Sequence, residues 1–146
     1  MHLTIKFLGQ ITEDQAKNVI NILNDLNMAE FQIKIYGIGA FPSIKRPSVV
    51  WAGVTEGGDK LTEMWRLIEG RLTRLGFERD KRRFHPHLTI ARVKWVQNPS
   101  QLSNYLLKYS TLEFGESVID AVKLKKSVLT SEGPIYSDVY VKSFKS

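Results

Sequence analysis

Two short strings in the sequence are identical. The tetrapeptide HLTI begins at His2 and occurs again at His87, and the two copies contain two of the three histidines of the chain. In an extended strand, residues i and i+2 project from the same face. His2 therefore shares a face with Thr4, and His87 shares a face with Thr89. A repeat in a repeated structural context indicates that the two strings have equivalent roles.

The paired strings contain the groups needed for acid–base chemistry at phosphorus. If their strands lie side by side about an approximate two-fold axis, two imidazoles and two hydroxyls converge on one cleft. An imidazole titrates at about pH 6.5, so a pair of imidazoles can hold one protonated and one neutral ring at neutral pH. The neutral ring deprotonates water for in-line attack, and the charged ring protonates the departing oxygen. The hydroxyls and a nearby cation hold the nonbridging oxygens, and no metal or other cofactor is required.

The surrounding sequence predicts the elements that position these groups. Both HLTI copies fall in predicted strands, His2–Leu8 and Pro86–Val93, because side-chain types alternate there and β-branched residues are frequent. Thr12 is the predicted N-cap of one amphipathic helix, and Leu61–Leu75 forms another. Further strands are predicted at Phe31–Tyr36 and Val49–Val54, and long extended stretches at Ser117–Leu129 and Asp138–Phe144. Gly37–Pro47 is predicted to be a loop or a wide hairpin connection, and a short helix is capped by Asn98 or Ser100. This mixture of strands and helices predicts an α+β fold with antiparallel sheet.

Composition excludes some kinds of site. The chain has 146 residues, of which 42% are hydrophobic, enough for one compact core. It contains no cysteine, which excludes disulfides and thiolate metal sites and favours a cytoplasmic location. It has no apolar run of transmembrane length and no signal-peptide pattern, so we expect no membrane partner. The formal charge of +6 favours nucleic-acid partners only if the basic residues converge on the site.

Five longer blocks extend the pattern beyond the two tetrapeptides. They are HLTIKFLGQI, GIGAFP, VVWAGV, PHLTIARVK and LKKSVLTSEGPIY, and they are spread over most of the chain. With the paired His-x-Thr-x motifs, they resemble the 2H phosphoesterases, and most closely the LigT-like RNA 2′,3′-cyclic phosphodiesterases, also called 2′-5′ RNA ligases. The resemblance implies a two-lobed α+β fold with pseudo-two-fold symmetry, in which antiparallel sheets line a central cleft and helices lie outside. It also implies hydrolysis of 2′,3′-cyclic phosphate ends to 2′-phosphomonoesters, and the reverse reaction as 2′-5′ RNA ligation.

The same resemblance implies a role for each candidate site residue. His2, in the first motif, is the proton donor to the leaving oxygen, and His87 is the base that activates water. Thr4 and Thr89 position the phosphate, and Arg92, which follows the second motif, is a further substrate-binding candidate. The partner is then an RNA or oligonucleotide with a 2′,3′-cyclic phosphate end.

The repeat also predicts the domain organisation. We expect residues 1–146 to form a single 2H phosphoesterase domain made of two pseudo-repeats. One pseudo-repeat comprises about residues 1–46 together with the C-terminal strands, and the other comprises about residues 47–116.

The two pseudo-repeats differ at their N-terminal ends. A predicted strand and helix precede His87, whereas only Met1 precedes His2. If the halves are duplicates, roughly 38 residues between Val49 and His87 have no counterpart in the first half. We therefore expect the first repeat to be shortened, to expose a sheet edge and apolar surface, and to favour self-association or slow hydrolysis.

Other functions fit parts of the same pattern. Another 2H activity, such as cleavage of 2′-5′ oligonucleotides or of a small cyclic phosphate, would use the same histidines. A non-catalytic RNA-binding module would keep the fold without turnover. A metal shared by His85 and His87 would need further ligands that no motif supplies. We expect His85 to lie in an exposed loop and Trp51 to lie in the core.

Overall fold

The computed structural model describes residues 2–146 of the chain. This part contains three α-helices and six β-strands joined by loops. The helices are α1 (Glu13–Asn24), α2 (Gly58–Arg74) and α3 (Pro99–Lys108). The strands are β1 (Phe31–Pro42), β2 (Pro47–Val54), β3 (His87–Arg92), β4 (Glu113–Ile119), β5 (Ala121–Thr130) and β6 (Gly133–Ser143). None of the described helices has the length and apolar character needed to cross a membrane.

The strands form two sheets. One sheet has four strands in the order β3-β2-β1-β4, and the other is the β5–β6 hairpin. The pairs β1–β2, β2–β3 and β5–β6 are antiparallel. The predicted α+β class with antiparallel sheet is therefore confirmed.

Contacts between Cα atoms divide the chain into two compact units. The first unit comprises residues 2–7, Gln32–Trp65 and Arg82–Val118, and it contains the four-stranded sheet and α3. The second unit comprises Leu8–Phe31, Arg66–Lys81 and Ile119–Ser146, and it contains α1 and the β5–β6 hairpin.

In the first unit, α3 covers one face of the sheet. Its Leu106 is 5% exposed and packs with Ala40 of β1 and Val50 of β2. The helix begins after Asn98, whose side chain accepts a 3.1 Å hydrogen bond from the backbone N–H of Gln101, so this predicted N-cap is confirmed. Side chains alternate along a strand, so the residues next to Ala40 in β1 and next to Val50 in β2 project from the face of the sheet opposite α3.

In the second unit, α1 packs on the β5–β6 hairpin. Thr12 is its N-cap, as predicted: the Thr12 hydroxyl accepts a 3.1 Å hydrogen bond from the Gln15 N–H, and the Gln15 side chain accepts one from the Thr12 N–H. At the other end of α1, the Tyr140 hydroxyl of β6 donates a 2.9 Å hydrogen bond to Asn24. The capping box and this contact fix both ends of the helix.

The extent of the strands differs from the predictions in three places. The strand expected at His2–Leu8 is absent, since neither sheet of the described residues includes this segment. An alternating pattern favours an extended chain, but a strand also needs a neighbour for its backbone hydrogen bonds. The segment Gly37–Pro47 connects the β1–β2 hairpin, which was one of its two predicted forms, but its loop is short because β1 continues to Pro42 through a bulge at Gly37, whose φ is 78°. The single extended stretch expected at Ser117–Leu129 is divided between β4 and β5, which join different sheets.

Candidate active site

Strand β3 presents the histidine and threonine of the second motif on one face of the sheet. In the antiparallel pairing with β2, His87 lies opposite Gly53, and Thr89 lies opposite Trp51. Directly opposed residues project from the same face. Leu88 projects from the other face, where it is only 8% exposed. The face that carries His87 and Thr89, which we term the site face, is therefore opposite the face that α3 covers.

A bulge in β3 brings Arg92 onto the site face. In a regular strand, the spacing of three residues between Thr89 and Arg92 would put their side chains on opposite faces. Successive residues of β2 pair with Thr89 and then with Ala91, so Ile90 is an extra residue in the ladder. Arg92 then pairs with Val49 and returns to the face of Thr89. The bulge thus adds a cation to the site face.

A backbone hydrogen bond orients the imidazole of His87. Its Nδ1 contacts the carbonyl oxygen of His85, and because a carbonyl oxygen only accepts, Nδ1 is the donor in this bond. In the neutral ring, Nε2 then holds the available lone pair. The half-buried ring also meets Phe41 edge-on, with 5.2 Å between the ring centroids. A neutral imidazole with an oriented Nε2 has the form that a general base requires.

Phe41, Trp51, His85 and His87 form an aromatic cluster on the site face. The ring centroid of Trp51 lies 5.2 Å from that of Phe41 and 4.8 Å from that of His85. The indole fits because residue 39 is glycine: a Cβ on Gly39 would lie 2.3 Å from the Trp51 ring. Trp51, which we predicted to lie in the core, is therefore half-buried beside His85 on the site face.

The surroundings of His85 lower its pKa. Partial removal of the ring from water is the larger cause, and the charge of the nearby His87 is the second; a backbone hydrogen bond acts in the opposite direction. The two imidazole centroids are 5.9 Å apart. The lowered pKa favours the neutral form of His85 and so reduces the positive charge beside His87.

Comparison with known proteins shows the family of the chain. The family described as LigT like Phosphoesterase matches the chain over residues 1–51 and 53–136. The chain belongs to the LigT-like phosphoesterase family.

Two curated relatives of this LigT-like phosphoesterase have the same name. An RNA 2′,3′-cyclic phosphodiesterase of Aquifex aeolicus is 42% identical over 142 residues, which cover 95% of this chain and 75% of the relative. An RNA 2′,3′-cyclic phosphodiesterase of Aeropyrum pernix is 37% identical over 139 residues, which cover 95% of this chain and 79% of the relative. The chain thus spans between 75% and 79% of the length of these two relatives.

Solved structures show the same fold. A protein of Thermus thermophilus matches with a TM-score of 0.82 and 23% identity, over 99% of this chain and 78% of the other. E. coli LigT complexed with 3′-AMP matches with a TM-score of 0.78 and 20% identity, over 99% of this chain and 77% of the other. These likenesses confirm the predicted LigT-like fold.

In this LigT-like phosphoesterase, the first motif lies outside the sheet that carries the second. His2 is exposed and Thr4 is half-buried. By contact, the residues up to Phe7 belong to the first unit, which also contains β3. The structure therefore brings His87, Thr89 and Arg92 onto one strand face, and it places His2 and Thr4 in the same compact unit.

Sequence reasoning missed the aromatic side chains around His87. The run Val49–Val54 contains no polar residue to mark a face, and only the burial of Val50 and Ala52 in the structure shows that Trp51 projects from the opposite face of β2. Phe41 was missed because it falls in a segment that was predicted as a loop or a wide hairpin connection, whereas it lies in β1. Among the described residues, no group of three or more histidine, aspartate or glutamate side chains is arranged to hold a metal ion.

Proposed function

We propose that this LigT-like phosphoesterase hydrolyses 2′,3′-cyclic phosphate ends of RNA to 2′-phosphomonoesters without a metal ion. The observation that carries the proposal is the joint presence of an oriented imidazole, a hydroxyl and a guanidinium on one face of β3, at His87, Thr89 and Arg92. The relatives from Aquifex aeolicus and Aeropyrum pernix, which are named RNA 2′,3′-cyclic phosphodiesterases, support the choice of substrate.

In the proposed mechanism, two histidines move protons at opposite ends of an in-line displacement. His87 Nε2 takes a proton from water, and the water oxygen forms a bond to phosphorus. The bond between phosphorus and the 3′-oxygen breaks, and His2 donates a proton to that oxygen. The products are a 3′-hydroxyl and a 2′-phosphomonoester. With a 5′-hydroxyl of RNA in place of water, the same steps produce a 2′-5′ linkage.

Two hydroxyls and one guanidinium hold the phosphate in this mechanism. Thr4 and Thr89 donate hydrogen bonds to the nonbridging oxygens, whose charge is redistributed as the bonds change. Arg92 supplies a full positive charge, and charge-assisted hydrogen bonds to phosphate are stronger than neutral ones. Removing any of the three groups should therefore slow the chemical step as well as weaken binding.

Hydrolysis of a 2′,3′-cyclic nucleotide in EDTA tests the proposed function. The expected product is the 2′-monophosphate, identified by phosphorus NMR or by chromatography against 2′- and 3′-monophosphate standards. Loss of turnover in EDTA, or formation of the 3′-monophosphate, would refute the proposal. RNA binding without turnover would instead identify a binding module.

Three further properties belong to this proposal. Residues 1–146 act as one domain of two pseudo-repeats, as the repeated motif indicates, and the cysteine-free sequence favours a cytoplasmic location. Self-association is supported by large apolar side chains that the structure leaves exposed on β4 to β6, such as Phe114 at 45%, Leu129 at 85% and Ile135 at 61%.

A further inference from the structure

An open groove runs from the edge of the four-stranded sheet along α3. Strand β3 is at one edge of the sheet, and the groove is lined by Arg92 at the end of β3, by the segment that follows it, and by the first turns of α3. Its volume, about 1160 Å³, exceeds the roughly 300–1,000 Å³ of a typical small-molecule site. We term it the β3–α3 groove. Because Arg92 also lies on the site face, the groove adjoins the candidate active site.

The residues that line the β3–α3 groove belong to a basic segment of the sequence. Residues 81–112 contain no aspartate or glutamate but six lysines and arginines. The remaining residues contain fifteen basic and fifteen acidic side chains, so this segment accounts for the whole formal charge of +6. Two cations of this segment, Arg92 and Lys94, line the groove. Neither forms an ion pair with a carboxylate of the residues that the structure describes. The groove therefore attracts a polyanion.

Exposed aromatic rings lie along the same groove. Trp95 is 79% exposed and Tyr105 is 52% exposed, and both line the groove. Tyr105 stacks in parallel on Tyr109, at 6.5 Å between centroids and 4° between planes, and the Lys108 ammonium lies 5.4 Å from the Tyr109 ring centre. Exposed flat rings alternating with cations are the combination that binds single-stranded nucleic acid, since every base offers a face for stacking.

We propose that the β3–α3 groove binds the single-stranded RNA segment on the 5′ side of the reacting 3′ end. This inference rests on the proposed function, because it takes the cyclic phosphate to lie beside His87. Arg92 contacts the terminal phosphate, Lys94 contacts the backbone, and bases stack on Trp95 and Tyr105. The substrate class is then an unpaired oligonucleotide. A duplex, whose bases are already stacked within the helix, fits this surface less well.

Binding and turnover measured separately test this inference. Binding uses a labelled single-stranded RNA of eight nucleotides (about the length that one such surface covers) with a 3′-phosphate end, and turnover uses a 2′,3′-cyclic mononucleotide. Trp95→Ala and Tyr105→Ala should each raise the RNA dissociation constant about fivefold or more, while mononucleotide turnover stays near wild type. Lys94→Gln should reduce the steepness of the plot of log affinity against log salt by about 0.7.

Two controls complete the test: a variant outside the groove and an RNA duplex of the same length. Leu107→Ala removes an apolar side chain that is 58% exposed on α3 but does not line the groove, and it should leave RNA binding unchanged. The inference would be overturned by unchanged RNA affinity in both groove variants, by an equal loss in Leu107→Ala, or by equal affinity for a duplex of the same length. Absence of mononucleotide turnover in the wild-type protein would instead refute the proposed function, and the binding results would still test the groove.

Discussion

At the scale of single residues, His87 is distinguished from His85 by what each ring contacts. The ring of His87 is held by a backbone carbonyl and by the edge of Phe41, which leaves its Nε2 oriented. The carbonyl that orients it belongs to the main chain of residue 85, so the side chain of His85 is not needed for this bond. Two histidines that lie two positions apart therefore differ in their expected contribution to turnover.

Substitution of each histidine tests this difference. His87→Ala removes the proposed base and should lower kcat by about 10²- to 10⁴-fold, with little change in melting temperature because the ring is only half-buried. His85→Asn keeps the carbonyl and should retain most of the turnover. Rates on the 2′,3′-cyclic nucleotide provide the measurement. A larger loss in His85→Asn than in His87→Ala would show that the roles are misassigned.

The lowered pKa of His85 makes folding stability depend on pH. The folded protein resists protonation of this ring, whereas the unfolded chain takes up the proton at about pH 6.5. The unfolded state then binds more protons, so the free energy of unfolding decreases as the pH falls below that value. His85→Gln should lose less stability than wild type between pH 7 and pH 5 in urea denaturation. An identical decrease in both proteins would contradict the stated cause.

At the scale of elements, the site depends on two irregularities that place side chains on the site face. The bulge at Ile90 returns Arg92 to the face of Thr89. The absence of a side chain at Gly39 leaves room for the indole of Trp51. A regular β3 would put Arg92 on the other face of the sheet, and a side chain at position 39 would occupy the space of the Trp51 indole.

A pair of glycine substitutions tests the second of these features. Gly39→Ala would put a Cβ 2.3 Å from the Trp51 ring, and overpacking of this kind lowers the free energy of unfolding by about 1–3 kcal/mol. Gly70→Ala is the control, because a Cβ there meets no atom within 4 Å in the middle of α2. It should raise stability by about 0.5–1 kcal/mol. Denaturant unfolding should show these opposite signs; a neutral Gly39→Ala would contradict the packing described for Trp51.

The sequence predicts those elements whose signals are local. The N-caps at Thr12 and Asn98 and the second HLTI strand follow from side-chain types within a few residues, and the structure confirms them. The bulges, the length of β1 and the division between β4 and β5 depend on which strands become neighbours, and that information is not local. The same reason explains why His87, Thr89 and Arg92 could be nominated from the sequence while the aromatic cluster around them could not.

At the scale of the whole molecule, the large exposed apolar side chains of β4 to β6 predict self-association. Leu129, 85% exposed near the hairpin turn, is the most exposed of them. Leu129→Lys should shift the protein toward monomer, because it replaces apolar surface with charge. Light scattering after size-exclusion chromatography at several concentrations measures the change. A wild-type protein that is monomeric at every concentration would refute the self-association proposal.

The central claim is that His2 and His87 act on one phosphorus atom in opposite protonation states. The pH dependence of kcat/KM for a 2′,3′-cyclic nucleotide tests it most directly, because this parameter reports the ionisations of the free enzyme. The account predicts a bell-shaped profile with a maximum near neutral pH, and loss of one limb in His2→Ala and of the other in His87→Ala. A profile that is flat between about pH 5 and pH 8 would contradict the claim.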